Sequence, residues 1–177
     1  TVARLVELRP PFEHEPVALS EGVATSLATV WQRDGRTGSG ATVAVIDMGF
    51  ASWRTAQSSG DLPAGARLVR KDFCGGAFET TRHGTAAAEI VHDMAPGATI
   101  HLICIADEVG LAQALSYVQG LKAAGARVIV SHSIAWFLTS RGDGSGAAGT
   151  PDAIVRAAAA SGILWVNAAG NLSLIHI

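Results

Sequence analysis

Continuous apolar runs alternate with amphipathic or alanine-rich segments along most of the chain. The runs do not alternate polar and apolar residues, which is typical of strands that are buried on both faces of a sheet. Five segments predict strands, at residues 41–47, 66–73, 99–105, 126–134 and 163–169. Four segments predict helices, at residues 23–34, 83–94, 107–124 and 151–161. This order predicts an α/β fold, a doubly wound, mostly parallel sheet with helices on both faces.

The two ends of the chain differ from this pattern. Residues 1–22 contain RPPFEHEP and predict an extended N-terminal arm, or the end of a pro-segment. Residues 23–171 form one predicted domain, which is incomplete at its C-terminus. Residues 172–177, LSLIHI, resemble the translation of a transposon end used in DNA library preparation. We expect this tail to be non-native and exclude it from reasoning about the fold, although a genuine apolar strand end is the alternative.

Composition excludes several classes of protein. Of 177 residues, 49% are hydrophobic and 16% are charged, which argues against disorder. The net charge of −2 gives no electrostatic reason for nucleic-acid binding, and no apolar run is long enough to predict a membrane span. Cys104 lies in an apolar strand and Cys74 in a glycine-rich loop, and the sequence leaves open whether they are bonded.

Three polar residues follow or precede predicted elements at what should be one rim of the sheet. Asp47 ends a strand, His83 opens a helix, and Asn171 follows the last strand. Each has an ordinary interpretation, as a turn-capping carboxylate, a helix-start residue and a turn amide. Together they match three parts of acyl-transfer chemistry: a carboxylate that orients an imidazole, an imidazole base, and an amide donor for an oxyanion.

The blocks TVAVIDMGF, HGTAAAEIVHDMAPGATI and ILWVNAAGN resemble the Asp, His and Asn blocks of subtilisin-like serine peptidases, in that family's order. The resemblance spans about residues 22–171. It implies that Asp47 orients His83, the general base and acid, and that Asn171 contributes to the oxyanion hole. It also implies two substrate-binding segments, Ser133, Ile134 and Ala135 beside the substrate backbone and Ala168, Ala169 and Gly170 in a pocket wall.

The resemblance further implies a polypeptide substrate, no cofactor and a secreted or extracytoplasmic location. Met48 departs from the usual Thr or Ser after the aspartate, and Glu89 departs from the small residues usual in the His helix. We expect Glu89 to be solvated and His92 to lie at the surface. The segment between His83 and APGA is too short for a calcium loop, so no metal is expected there.

The family's nucleophile block, of the form GTSMA, is not found, and Ser145 does not lie in a G-x-S-x-G turn after a strand. We therefore expect this chain to be a fragment of a serine endopeptidase, inactive alone and with an exposed apolar sheet face. A non-catalytic binding or scaffold relative is the alternative. A nucleotide site is disfavoured because GRTGSG precedes its strand, and a zinc site because His83 and His92 fall on opposite helix faces.

Overall fold

The computed structural model describes residues 21–136 and 143–168. The five predicted strands all occur, in the order that the sequence predicts. The strands are β1 (Ala41–Asp47), β2 (Leu68–Phe73), β3 (Thr99–Ile105), β4 (Arg127–His132) and β5 (Leu164–Asn167). The helices are α1 (Glu21–Thr25), α2 (Ala28–Arg33), α3 (Trp53–Ser59), α4 (His83–Met94), α5 (Glu108–Ala123) and α6 (Pro151–Ala160).

The strands form a parallel sheet in the order β2-β3-β1-β4-β5. Strand β1 therefore lies in the middle, with Asp47 in register with Cys104 of β3 and Ile46 in register with His132 of β4. All five carboxyl ends point to one edge of the sheet because every pairing is parallel. Loops at that edge are the usual place for ligands in open α/β sheets.

Two apolar clusters cover the two faces of the sheet, which confirms the doubly wound α/β fold. On one face, Val45 and Leu102 pack beneath Ala88 of α4. On the other, Ile46 and Ile103 pack against Leu111 of α5 and Ile154 of α6. The connections β2-α4-β3 and β3-α5-β4 move the same way across the sheet but use opposite faces. One of the two crossovers is therefore left-handed, which is rare. The β2-α4-β3 crossover brings the start of α4 over the end of β1.

Local signals define most helix boundaries. Helix α5 begins after Asp107, whose side chain accepts a hydrogen bond from the Gly110 backbone N–H at 2.8 Å. Helix α6 begins with Pro151, which suits the first turn because its missing N–H has no helical partner there. Helix α4 ends at Met94, two residues before Pro96.

Two helix predictions need correction. The single helix predicted over 23–34 is two helices, because Leu27 between them has a left-handed backbone with φ 61°. The amphipathic pattern of this segment places Leu27, Ala28 and Trp31 on one face of a single helix, but in the structure Leu27 and Trp31 are exposed and only Ala28 is buried. Helix α3 was not predicted, and α1 begins at Glu21, inside the predicted N-terminal arm.

The sheet is poorly covered at β5. Leu164 is 60% exposed and Val166 is 55% exposed, and both lie on the face that α4 covers farther along the sheet. An exposed apolar sheet face was expected from the sequence, and these side chains provide one. No helix in the described part of the chain is long and apolar enough to cross a membrane.

Candidate active site

Asp47 is the last residue of β1 and lies at the carboxyl edge of the central strand. It is 1% exposed, at the end of a strand whose preceding residues, Ala44 to Ile46, are apolar and buried. One carboxylate oxygen, Oδ1, accepts a hydrogen bond from the Met48 backbone N–H at 2.8 Å. The other oxygen, Oδ2, is left to face the start of α4. A buried carboxylate needs such partners, since it loses its hydration when it leaves water.

His83 is carried to this edge by the loop that docks on residues 49–51. The Phe50 and Ala51 backbone N–H groups donate to Phe78 and Thr81 carbonyls, each at 2.7 Å. The Thr81 hydroxyl accepts from the His83 backbone N–H at 3.0 Å, which satisfies one of the free donors at the helix start. These bonds fix the first turn of α4 directly above β1.

The two predicted residues meet. His83 Nδ1 lies 2.7 Å from Asp47 Oδ2, and the His83 side chain is 30% exposed while that of Asp47 is 2% exposed. The hydrogen bond to the Asp47 carboxylate raises the pKa of His83, partly opposed by burial and assisted by the charge of Asp47. Since the carboxylate accepts, Nδ1 carries the proton and Nε2 presents a lone pair. No hydrogen-bond partner for Nε2 occurs among the described residues.

Close contact between α4 and β1 requires glycine at position 84. A Cβ atom there would lie 2.5 Å from the Gly49 carbonyl oxygen, 2.6 Å from the Phe50 ring and 2.7 Å from the Asp47 Cβ. The Gly84 N–H also donates to the Gly49 carbonyl at 3.0 Å. The glycine after His83 therefore allows the imidazole to reach the carboxylate.

A disulfide joins Cys74 to Cys104 across 30 residues of chain. Cys104 pairs in register with Asp47, and Cys74 begins the loop that leads to His83. Both cysteines are buried, at 0% and 6% exposure. The bond therefore ties the strand beside the carboxylate to the loop that carries the imidazole, and it answers a question that the sequence left open.

The remaining predicted site residues are only partly described. Ser133, Ile134 and Ala135 follow β4 directly and are partly or fully exposed. Ala168 follows β5 and its N–H donates to the His132 carbonyl at 3.0 Å, so the two segments start side by side. Ala169, Gly170 and Asn171 lie outside the described residues, as does the tail 172–177.

Glu89 and His92 on α4 differ from expectation. Glu89 is 9% exposed rather than solvated, and burial raises its pKa. Its position four residues after the fully buried Thr85 places both on the inner face of α4, a signal that was available in the sequence. His92, expected at the surface, is partly buried, and burial lowers its pKa.

Sequence reasoning also missed a polar group on the opposite face of the sheet. His132, at the end of β4, is 2% exposed and contacts the side chains of Asn167 and Trp136. The signal was a histidine in an apolar strand immediately before a predicted substrate-binding segment. Within residues 21–136 and 143–168, no three His, Cys, Asp or Glu side chains are grouped as metal ligands.

The chain matches no protein-family model and no curated protein.

Proposed function

We propose that this chain belongs to a serine endopeptidase of the subtilisin-like type, in which Asp47 and His83 form two members of an Asp-His-Ser triad. The observation that carries the proposal is the hydrogen bond of 2.7 Å between Asp47 Oδ2 and His83 Nδ1 at the carboxyl edge of the sheet. The same two residues lie in the sequence blocks that resemble the family's Asp and His motifs.

The geometry suits a general base. Asp47 holds the imidazole with its proton on Nδ1, so the lone pair of Nε2 is available to take a proton from an attacking hydroxyl. The imidazolium that forms is stabilised by the buried carboxylate, and the same effect raises the pKa of His83 in the free protein. The partly exposed ring can then pass this proton to the leaving amine.

The proposal requires a serine hydroxyl and oxyanion donors near Nε2. Asn171 is the proposed side-chain donor, and the serine is proposed to come from a G-T-S-x-A block that follows Asn171 in the source gene. The segments Ser133–Ala135 and Ala168–Gly170 are the proposed walls of the polypeptide-binding cleft. Their first residues start next to each other at the ends of β4 and β5, as a cleft between the two segments needs.

A secreted or extracytoplasmic location is part of the proposal. The buried Cys74–Cys104 disulfide supports it, because structural disulfides form and persist mainly in oxidising compartments. No cofactor is needed for this chemistry.

The deciding experiment is to recover the source DNA beyond the codon for Asn171 and express the complete gene. We expect a G-T-S-x-A block, labelling of its serine by a serine-directed phosphonate, and loss of labelling in His83→Ala. A matched control is His92→Ala, which changes another partly buried histidine on the same helix and should still be labelled.

Two outcomes would overturn the proposal. One is a gene that encodes LSLIHI and then stops, which would favour the non-catalytic binding or scaffold alternative. The other is a complete protein whose serine reacts equally in the wild type and in His83→Ala.

A further inference from the structure

The side chain of His132 connects the carboxyl ends of β4 and β5. It lies at the end of β4, opposite Ile46 of β1, and is 2% exposed. It immediately precedes the segment Ser133–Ala135, while Trp136 immediately follows that segment. Asn167 immediately precedes Ala168. His132, Trp136 and Asn167 therefore flank the two segments that the proposed function assigns to the substrate cleft.

Hydrogen bonds join these three side chains. His132 Nδ1 lies 2.5 Å from Asn167 Oδ1, and the Trp136 indole Nε1–H donates to His132 Nε2 at 3.4 Å. The Asn167 amide nitrogen donates to the Ala168 carbonyl at 3.4 Å, which orients its oxygen toward the imidazole. The backbone adds a bond from the Ala168 N–H to the His132 carbonyl.

The donor and acceptor roles determine the state of the ring. An indole N–H can only donate, so Nε2 must keep its lone pair. The Asn167 oxygen can only accept, so Nδ1 must carry the proton. Only the neutral imidazole with its proton on Nδ1 makes both of these hydrogen bonds. A proton on Nε2 would point at the indole N–H.

We propose that His132 is a positioning residue. As a neutral imidazole, it binds Trp136 at the far end of the segment Ser133–Ala135 and Asn167 at the end of β5. These two hydrogen bonds fix the conformation of that segment and its distance from the end of β5. The consequence of this inference for substrate binding, a fixed spacing between the two walls of the cleft, rests on the proposed function. The hydrogen bonds themselves do not depend on that function.

The surroundings of His132 favour the neutral form. Burial lowers its pKa, and the hydrogen bond to Asn167 and the negative charge of Asp47 oppose this less strongly. Among the described residues, Asp47 on β1 is the charged group that acts on the ring. The neighbours from β5 and from the segment after β4 are Trp165, Asn167 and Trp136, which carry no charge.

The test uses long-range ¹H–¹⁵N NMR of the complete chain with ¹⁵N-labelled histidine, and His132→Gln assigns the signal. We expect the Nδ1–H form of His132 and a titration below that of an exposed histidine. Trp136→Phe keeps the aromatic ring but removes the donor that opposes protonation, so it should raise the pKa of His132.

Trp165→Phe is the matched control. Trp165 also contacts the His132 ring, with centroids 5.6 Å apart, but its buried Nε1 has no hydrogen-bond partner among the residues that the structure describes. This variant should leave the His132 titration nearly unchanged. The Nε2–H form, a titration unaffected by Trp136→Phe, or imidazoles that all titrate together as in an unfolded chain would each overturn the proposal.

Kinetics of the complete enzyme separate positioning from general stability. Trp136→Phe and His132→Leu should raise the KM for a peptide on the order of 10-fold while changing kcat much less, and His132→Gln should restore part of the loss. His101→Gln alters another buried histidine, bonded to Tyr117, and should leave KM unchanged. An equal rise in KM for His101→Gln overturns the inference, whereas normal NMR results in an inactive protein overturn only the proposed function.

Discussion

Replacing Gly84 with alanine tests whether close packing of α4 on β1 creates the Asp47–His83 pair. The new Cβ would meet the Gly49 carbonyl oxygen at 2.5 Å, and the atoms on its other sides belong to Phe50 and Asp47. To reach the ordinary contact distance of 3.4 Å, the helix start must retreat by about 0.9 Å. Such a shift would stretch the His83–Asp47 hydrogen bond of 2.7 Å beyond its normal range.

The expected cost combines two effects. Overpacking a tight site costs about 1–3 kcal/mol, and the better helix propensity of alanine offsets up to about 1 kcal/mol. We therefore expect Gly84→Ala to lower the free energy of unfolding by about 1–2 kcal/mol. The pKa of His83 should fall toward its ordinary value of 6.5, because the hydrogen bond that raises it is weakened.

Urea denaturation followed by circular dichroism, at low protein concentration, measures the stability, and NMR titration measures the pKa of His83. Gly120→Ala is the control, since Gly120 is also helical but nothing lies within 4 Å of its Cβ position. That variant should gain about 0.5–1 kcal/mol and leave the pKa of His83 unchanged. The reasoning fails if Gly84→Ala is as stable as the wild type and retains the raised pKa.

Three further changes test other parts of the structure. Replacing Cys74 by serine and Cys104 by alanine should lower the free energy of unfolding by about 3–4 kcal/mol, because the disulfide closes a loop of 30 residues. Urea denaturation measures this loss. Asp47→Asn should lower the pKa of His83 in an NMR titration and reduce kcat of the complete enzyme on the order of 10⁴-fold. Replacing Leu164 and Val166 by lysine should reduce self-association in sedimentation velocity, because both apolar side chains are exposed.

Each of these has a contrary result. Unchanged stability without the disulfide would mean that it does not constrain the unfolded chain. Because the folded pKa of His83 is raised, its pairing stabilises the fold fully below pH 6.5 and less as the pH rises through the raised value. If the free energy of unfolding of Asp47→Asn depended on pH in the same way, this reasoning would be contradicted. Val109→Lys, at an exposed apolar position on α5, is the control for association and should have no effect.

Much of the fold could be predicted because its signals are local. Apolar runs identified four of the five strands in the described residues, and the fifth, β2, was predicted although it contains Arg70, Lys71 and Asp72. Helix α4 was predicted with the observed bounds, His83–Met94. Failures occurred where local signals were weak or overridden. Helix α3 is short and carries few periodic apolar residues, and the left-handed turn at Leu27 interrupts a segment whose pattern favours one helix. Glu89 was misjudged because its position was taken as one and a half turns from Thr85, whereas four residues are about one turn and place both on the buried face of α4.

For the candidate site, the sequence by itself determined which residue types end or begin elements at the carboxyl edge. Asp47 follows a strand and His83 opens a helix, and parallel strands bring such positions to one rim. Tertiary structure alone decided the distance between them, the disulfide beside them and the hydrogen bond between His132 and Asn167. These depend on strand order, on the opposite hand of two crossovers and on contact between segments 30 or more residues apart. Local periodicity carries no information about such contacts, because it specifies a residue's face but not its neighbour.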